Sequence, residues 1–269
     1  EGNNQVEKAT IVKTSGVPFV KVYKMGDRCD TFYGRLLSST GAVKVFDLIP
    51  YLNGMCLVVP STENPNTVTK IIPQEKLANV LKEHSKWCTI LKAHGIGSLN
   101  TALTQGRSKE LIQLSEALHE HKYADIADEI YEKRDKVRLI LIAGPSSSGK
   151  TTTSKRISLH LKVNNINPVV IELDNYFVSR DRTPKDENGD YDFESLYALD
   201  IEYLNKQLTQ LFAGEEIEVP KFDFVSGNRV FDGRRLKMKD NDVLVMEGIH
   251  ALNPMLTAQI PDELKYRVY

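Results

Sequence analysis

Apolar and polar positions along this chain follow three different periods. Between residues 10 and 60 the apolar runs are short and stop at glycine or proline. "TIVKTSGVPFVKVYK" breaks at Gly16 and Pro18, "VKVFDLI" ends at Pro50 and "MCLVVPS" ends at Pro60. Runs of this length, rich in Val, Phe and Tyr and bounded by turn formers, predict strands. The separators "SSTG" (38–41) and "YLNG" (51–54) have turn chemistry, so a small, mostly antiparallel sheet is expected here. From Gln74 the period becomes helical: Leu77, Val80, Leu81, His84 and Cys88 recur on one face, and Gly95 and Gly97 are expected to stop that helix. A second long helix is predicted from about Lys109, with Leu111, Leu114, Leu118, Ile126 and Ile130 in one stripe.

After residue 135 the pattern alternates. It predicts strands at 137–143, 168–173 and 242–246, with helices at 150–163 and around 200–213. Strands separated by helices argue for an α/β domain, a parallel sheet with helices on its faces. The expected organisation is an α+β domain over 1–105, a helical connector over 106–135 and an α/β nucleotide-binding domain over 136–269.

Composition narrows this picture only a little. The chain has 269 residues, 41% hydrophobic and 26% charged, as in globular domains. No apolar stretch approaches the roughly 18 residues of a membrane span. The opening residues carry no apolar leader core, so a cytoplasmic location is the expectation. Residues 1–135 hold 17 basic and 16 acidic side chains, and 136–269 hold 18 and 20. Bulk charge therefore gives no support to nucleic-acid binding. Cys29, Cys56 and Cys88 stand far apart, without the spacing of a disulfide framework or a zinc knuckle. The chain opens on Glu1 rather than Met, which suggests a piece of a longer protein.

The strongest chemical signal follows the apolar run Leu139–Ala143. Residues 144–151 read GPSSSGKT, which fits G-x-x-x-x-G-K-[ST]. Gly144 and Gly149 let the backbone curl and approach a ligand closely. Amides of Gly144, Pro145-Ser146, Ser147, Ser148, Gly149, Lys150, Thr151 and Thr152 (Pro145 itself having no N–H) then surround the positive end of a helix, where phosphates bind. Lys150 reaches the β- and γ-phosphates, and the Thr151 hydroxyl is placed for Mg²⁺. "PVVIELDNYF" ends its strand at Asp174, and "DVLVMEG" ends its strand at Glu247. Ligands of open α/β sheets sit at the carboxyl ends of strands, so both acids are expected at the γ-phosphate region. Thr151, Asp174 and Glu247 are the candidate Mg²⁺ holders, with Asp174 also the candidate base. The loop by itself leaves a kinase and a motor-type NTPase open.

"GPSSSGKTT", "LDNYF", "RTPKDENGDYDFESLYALD", "PKFDFVSGNR" and "VLVMEGIHAL" together resemble the P-loop kinases of the uridine kinase and phosphoribulokinase group. The resemblance spans 137–254. It implies ATP- and Mg²⁺-dependent phosphorylation of a hydroxyl on a small molecule, with Asp174 as base and Lys150 catalytic. It further implies an acceptor pocket of Phe177, Phe193, Glu194, Phe222, Phe224 and Arg229. The uridine kinase pattern usually has Tyr at position 222 and His at position 227, where this chain has Phe222 and Gly227. The family also carries an arginine-bearing lid after its last matching strand, so this chain is expected to be truncated at its C-terminus.

"HSKWC" on a helix after a small sheet resembles the second domain of threonyl-tRNA synthetase. His84 and Cys88, four apart, share a helical face, which is the spacing of metal ligands as well as of core residues. Two alternatives to the kinase stay open: an ATP-sensing module whose first half binds RNA or a protein partner, and a zinc-dependent aminoacyl-ester hydrolase in that half. His119, His121 and His160 are expected to be solvated or structural. The oligomeric state is left open.

Overall fold

The computed structural model describes residues 5–32, 34–52 and 54–269. It divides into two compact units, Glu1–Leu118 and His119–Tyr269, with the division inside one long helix.

The first unit opens with helix α1 (Val6–Thr14) where a strand was expected. The reason lies in its neighbour. The Glu7 carboxylate accepts the Ser98 amide at 2.9 Å and so caps helix α3 (Ile96–Thr104). A Cβ at Gly97 would stand 2.5 Å from the Glu7 carbonyl oxygen. Gly95 and Gly97 therefore do not stop the preceding helix. They begin the next one and admit α1 against it. Two separate hairpins replace the expected single sheet: β1 (Val22–Met25) with β2 (Arg28–Thr31), and β3 (Asp47–Tyr51) with β4 (Gly54–Val58). The predicted turn at 51–54 joins β3 to β4, its Asn53 lying outside the described residues. Helix α2 (Glu75–Leu91) forms as its period predicts, and left-handed Lys92 closes it. Its apolar positions Leu77, Val80 and Leu81 are exposed, and it buries no residue.

Helix α4 (Ser108–Glu132) carries the predicted stripe from Leu111 to Ile130. From His119 onward it belongs to the second unit, where Ala127 and Ile130 are buried beneath the sheet. Strand β5 (Leu139–Ile142) leads into helix α5 (Lys150–Val163), and strand β6 (Asn167–Glu172) follows. Helix α6 (Ile201–Phe212) precedes four short strands: β7 (Ile217–Glu218), β8 (Lys221–Asp223), β9 (Asn228–Val230) and β10 (Arg235–Leu236). Strands β11 (Asp242–Glu247) and β12 (Lys265–Val268) complete the sheet. Its order is β12-β5-β11-β6, every pairing parallel. This is a P-loop kinase fold. Strand β12, in "KYRVY", is an element the apolar pattern did not predict.

Alternation along the strands feeds two cores. Leu139, Leu141, Ile171, Leu244 and Met246 face α6, with Leu204, Leu208 and Leu211. Ile140, Ile142, Val243 and Val245 face the opposite way, against Ile157 and Leu161 of α5 and Ile130 of α4. Glu120 clamps α4 to α5 by pairing with Arg156 at 2.6 Å and His160 at 3.1 Å, so His160 is structural.

One buried polar chain ties α6 to the turn after β6. The Tyr176 hydroxyl donates to Gln207 Oε1 at 2.7 Å, and Gln207 Nε2 donates to the Tyr203 hydroxyl at 2.8 Å and the Glu218 carbonyl at 2.7 Å. Gln207→Leu leaves the Tyr176 hydroxyl and Glu218 carbonyl without their partner. We expect a loss of about 1–3 kcal/mol, read as a lower urea midpoint at unchanged slope.

Candidate functional site

The loop 144–149 connects a buried strand to a helix that no side chain caps. Gly149 stands at the N-cap of α5 with φ +85°, and Ser147 also takes a left-handed φ of +59°. Alternating handedness of this kind turns successive amides toward one concavity, which suits an anion. A Cβ at Gly144 would lie 2.6 Å from Ser148 Oγ, so any larger residue there would push that hydroxyl out of its present position. The first amides of α5 have no intrahelical acceptor and face the same concavity. Lys150 folds its ammonium back onto the Pro145 carbonyl at 2.9 Å, which leaves it in the loop it is expected to serve. Pro145, Ser146, Ser147 and Ser148 are exposed along the loop, and Thr151 and Thr152 occupy the first turn of α5.

Thr151 Oγ1 donates to Glu247 Oε1 at 2.6 Å. The contact joins the loop's helix to the end of β11, and it puts a hydroxyl beside a carboxylate at the mouth of the cradle. That is a hard-oxygen donor set of the kind that holds Mg²⁺ together with phosphate oxygens. Asp174 follows in a single 3-10 turn, Leu173–Tyr176, directly after β6. Gly248 makes room for that turn, since a Cβ there would meet Leu173 Cβ at 2.7 Å.

The electrostatics place these groups in one field. Asp174 keeps one face open to solvent, and crowding by protein on the other raises its carboxyl above the ordinary value; Lys150 opposes the rise and Glu172 adds to it. Burial likewise raises Glu247; the Thr151 hydrogen bond and Lys150 oppose it, and Asp174 and Glu172 reinforce it. Glu172 is a third acid that the sequence reading passed over. It ends β6 and sits opposite Glu247 in the strand register. Only the pairing of β6 with β11 reveals it.

The residues assigned to the acceptor pocket form an aromatic group with unequal members. Phe177 meets Phe193, Phe222 and Phe224 edge-on, at centroid distances of 6.3, 5.5 and 6.4 Å. Phe177 and Phe222 are buried, whereas Phe193 and Phe224 are 41% and 61% exposed. Glu194 is exposed on the same loop, and its carbonyl lies 2.8 Å from His250 Nε2, a contact the sequence reading did not include.

Arg229 does not present an open fork. Its guanidinium pairs with Asp200 at 3.1 Å, donates to the Tyr176 and Phe177 carbonyls at 3.2 Å, and stacks on Tyr203 at 4.8 Å. It positions the Asp174–Phe177 segment rather than reaching outward. In the first unit, His84 Nε2 lies 3.5 Å from Cys88 Sγ. Among the described residues no group of three His, Cys, Asp or Glu side chains is arranged to hold a metal ion. No helix among them is long and apolar enough to cross a membrane.

Residues 139–262, a little under half of the chain, match the Phosphoribulokinase / Uridine kinase family. A uridine kinase of Schizosaccharomyces pombe is 35% identical over 119 residues, 44% of this chain and 25% of that protein. A uridine kinase of Ureaplasma parvum is 32% identical over 124 residues, 46% of this chain and 58% of that protein. An inorganic pyrophosphatase of Arabidopsis thaliana is 34% identical over 125 residues, 46% of this chain and 17% of that protein. Among solved structures, a possible uridine kinase from Bacillus stearothermophilus superposes with a TM-score of 0.41 at 25% identity, covering 50% of this chain and 75% of that one. The chain thus spans between a quarter and three-fifths of the two uridine kinase relatives' lengths. The first unit lies outside the matched residues.

A raised carboxyl holds its proton more tightly in the folded state than in the unfolded one. Its contribution to stability is full below the ordinary carboxylate range and lost as pH rises through the raised folded value. Asp174→Asn removes one such group. Its stability relative to the unaltered protein should therefore grow between about pH 4 and pH 7. Urea unfolding at both pH values tests this; a difference that does not change with pH contradicts the raised carboxyl.

Proposed function

We propose that this protein transfers the γ-phosphoryl group of ATP to a hydroxyl of a small molecule. The observation that carries the reading is the joint between Thr151 and Glu247, with Asp174 and Lys150 in the same electrostatic field. A phosphate cradle alone would suit any P-loop NTPase. A carboxylate with a raised pKa beside the cradle supplies what a kinase adds, a base for the acceptor hydroxyl.

When bound, Mg-ATP supplies the phosphoryl group, and the metal offsets charge on the phosphate oxygens. The amides of residues 146–152 and the positive end of α5 bind and orient the phosphates. The Lys150 ammonium swings from the Pro145 carbonyl to the phosphate oxygens, where it offsets charge. Thr151 and Glu247 would hold the metal, with Asp174 at its edge. Asp174 takes the proton of the acceptor hydroxyl as that oxygen attacks. Its raised pKa makes it a stronger base than an ordinary aspartate. The aromatic group around Phe177 packs on the acceptor's apolar face and keeps water from the transfer. The uridine kinases among its relatives support a nucleoside-like acceptor class. The Arabidopsis relative's description argues against fixing one acceptor by kinship alone.

Two substitutions separate binding from transfer. Lys150→Ala is expected to weaken Mg-ATP binding and abolish transfer. Asp174→Asn is expected to keep Mg-ATP binding and lower transfer by about 10²–10⁴-fold. Calorimetry with Mg-ATP and product mass after incubation with a panel of alcohols provide the two readouts. Full-rate transfer by the asparagine variant would remove Asp174 from the role of base.

A further inference from the structure

Two grooves in the first unit meet at Phe32 and Arg35. One, of about 610 Å³, lies between α1, the link of residues 15–21 and the end of β2. The other, of about 760 Å³, runs along the β1–β2 hairpin and the segment 34–43. Val17, Phe19 and Phe32 line the first, Met25, Leu36 and Leu37 the second, and all six are exposed. Gly16 at φ +68° turns the chain out of α1, and Pro18 has no N–H to give a strand, so the link runs open and Phe19 stays 84% exposed.

Charge around these walls is one-sided. Lys8, Lys21, Lys24, Arg28 and Arg35 line the two grooves, against the acid Asp30. That acid is already occupied: it pairs with Lys8 at 2.6 Å and accepts Gln5 Nε2 at 3.1 Å and the Thr31 amide at 2.7 Å. Among the described residues Lys21, Lys24, Arg28 and Arg35 form no ion pair. The excess is local, since residues 1–135 hold 17 basic and 16 acidic side chains. An exposed apolar patch rimmed by charge of one sign marks an interaction surface, and the sign selects an acidic partner.

The walls separate one acidic partner from another. Nucleic acids are held by bases stacked on open ring faces. Phe32 already carries the Lys8 ammonium 5.2 Å over its ring and Tyr23 edge-on at 6.1 Å. Apart from Phe19, the other exposed walls are aliphatic or thioether side chains, which suit inserted leucine or phenylalanine anchors. Concavity likewise favours inserted side chains over a flat lipid surface.

We infer that the paired grooves receive an acidic, apolar segment of a partner protein. Its apolar side chains seat against Phe19, Phe32 and Leu37, and its carboxylates face Lys21, Arg28 and Arg35. This docking surface is independent of the phosphotransfer reading and stands or falls without it.

The test is equilibrium binding of the full chain to fluorescent synthetic peptides. One alternates Glu with Leu and Phe at helical spacing; in a second Lys replaces each Glu, and in a third Ser replaces each Leu and Phe. Oligouridylate and vesicles of phosphatidylserine and phosphatidylcholine serve as the competing acidic probes. The expected result is that the Glu peptide binds at least tenfold more tightly than the other two peptides and than either competing probe. That binding should weaken as ionic strength rises. The double variant Lys21→Glu/Arg35→Glu should lose the preference, and the milder Lys21→Gln/Arg35→Gln should lose part of it. Phe19→Ser, at an exposed position, should weaken the Glu peptide as well. Circular dichroism and the urea midpoint of each variant report that the first unit is folded. No binding of the Glu peptide, equal binding of the Lys or Ser peptide, tighter binding of oligouridylate or vesicles, or a preference that survives the charge reversal overturns the inference.

Discussion

Parallel pairing of β11 with β5 on one side and β6 on the other sets the level of everything at the site. That register aligns Ile142, Glu247 and Glu172 across three strands, so the chain leaves the sheet at one height three times over. The first departure becomes the phosphate loop, the second places Glu247, and the third becomes the turn bearing Asp174. Parallel strands need both faces covered, and α4, α5 and α6 provide that cover. A slip of one residue in β11 would turn Glu247 into a core and bring Met246 or Gly248 to the position facing Thr151.

Three acids around a single lysine form an arrangement that folding alone would not favour. Burial raises the proton affinity of Asp174 and of Glu247; Glu172 adds to both, and Asp174 adds to Glu247. The hydrogen bond from Thr151 is a local compensation for Glu247, and Lys150 compensates both acids only in part. Such unrelieved negative charge is what a divalent cation would offset, which ties the strain of the site to its use.

The two arginines beside the aromatic group show how identical chemistry meets different surroundings. Arg229 spends its donors on Asp200 and on two backbone carbonyls, and thereby fixes the segment from Asp174 to Phe177. Arg180 donates to one carbonyl, in a space opened by Gly227, and among the described residues forms no ion pair. Their exposure differs in the same sense, Arg229 being half-buried and Arg180 exposed.

Local sequence determined the parts whose signal is local. The apolar run 139–143, the glycine spacing of the loop and the helix from Lys150 to Val163 could be read directly, because backbone curling and strand burial leave composition signatures at fixed offsets. Asp174 and Glu247 could be located because each ends an apolar run. The tertiary structure decided what depends on distant neighbours. Val6–Thr14 is a helix because α3 receives it, and Gly95 and Gly97 serve that contact rather than ending a helix. Strand β12 exists because β5 offers it a parallel edge. Glu172 joins the site because β6 pairs with β11, and Arg229 is withdrawn from it because Asp200 lies within reach. Contacts between residues far apart in the chain leave no periodic trace along it, so their consequences become visible only once the strands are in register.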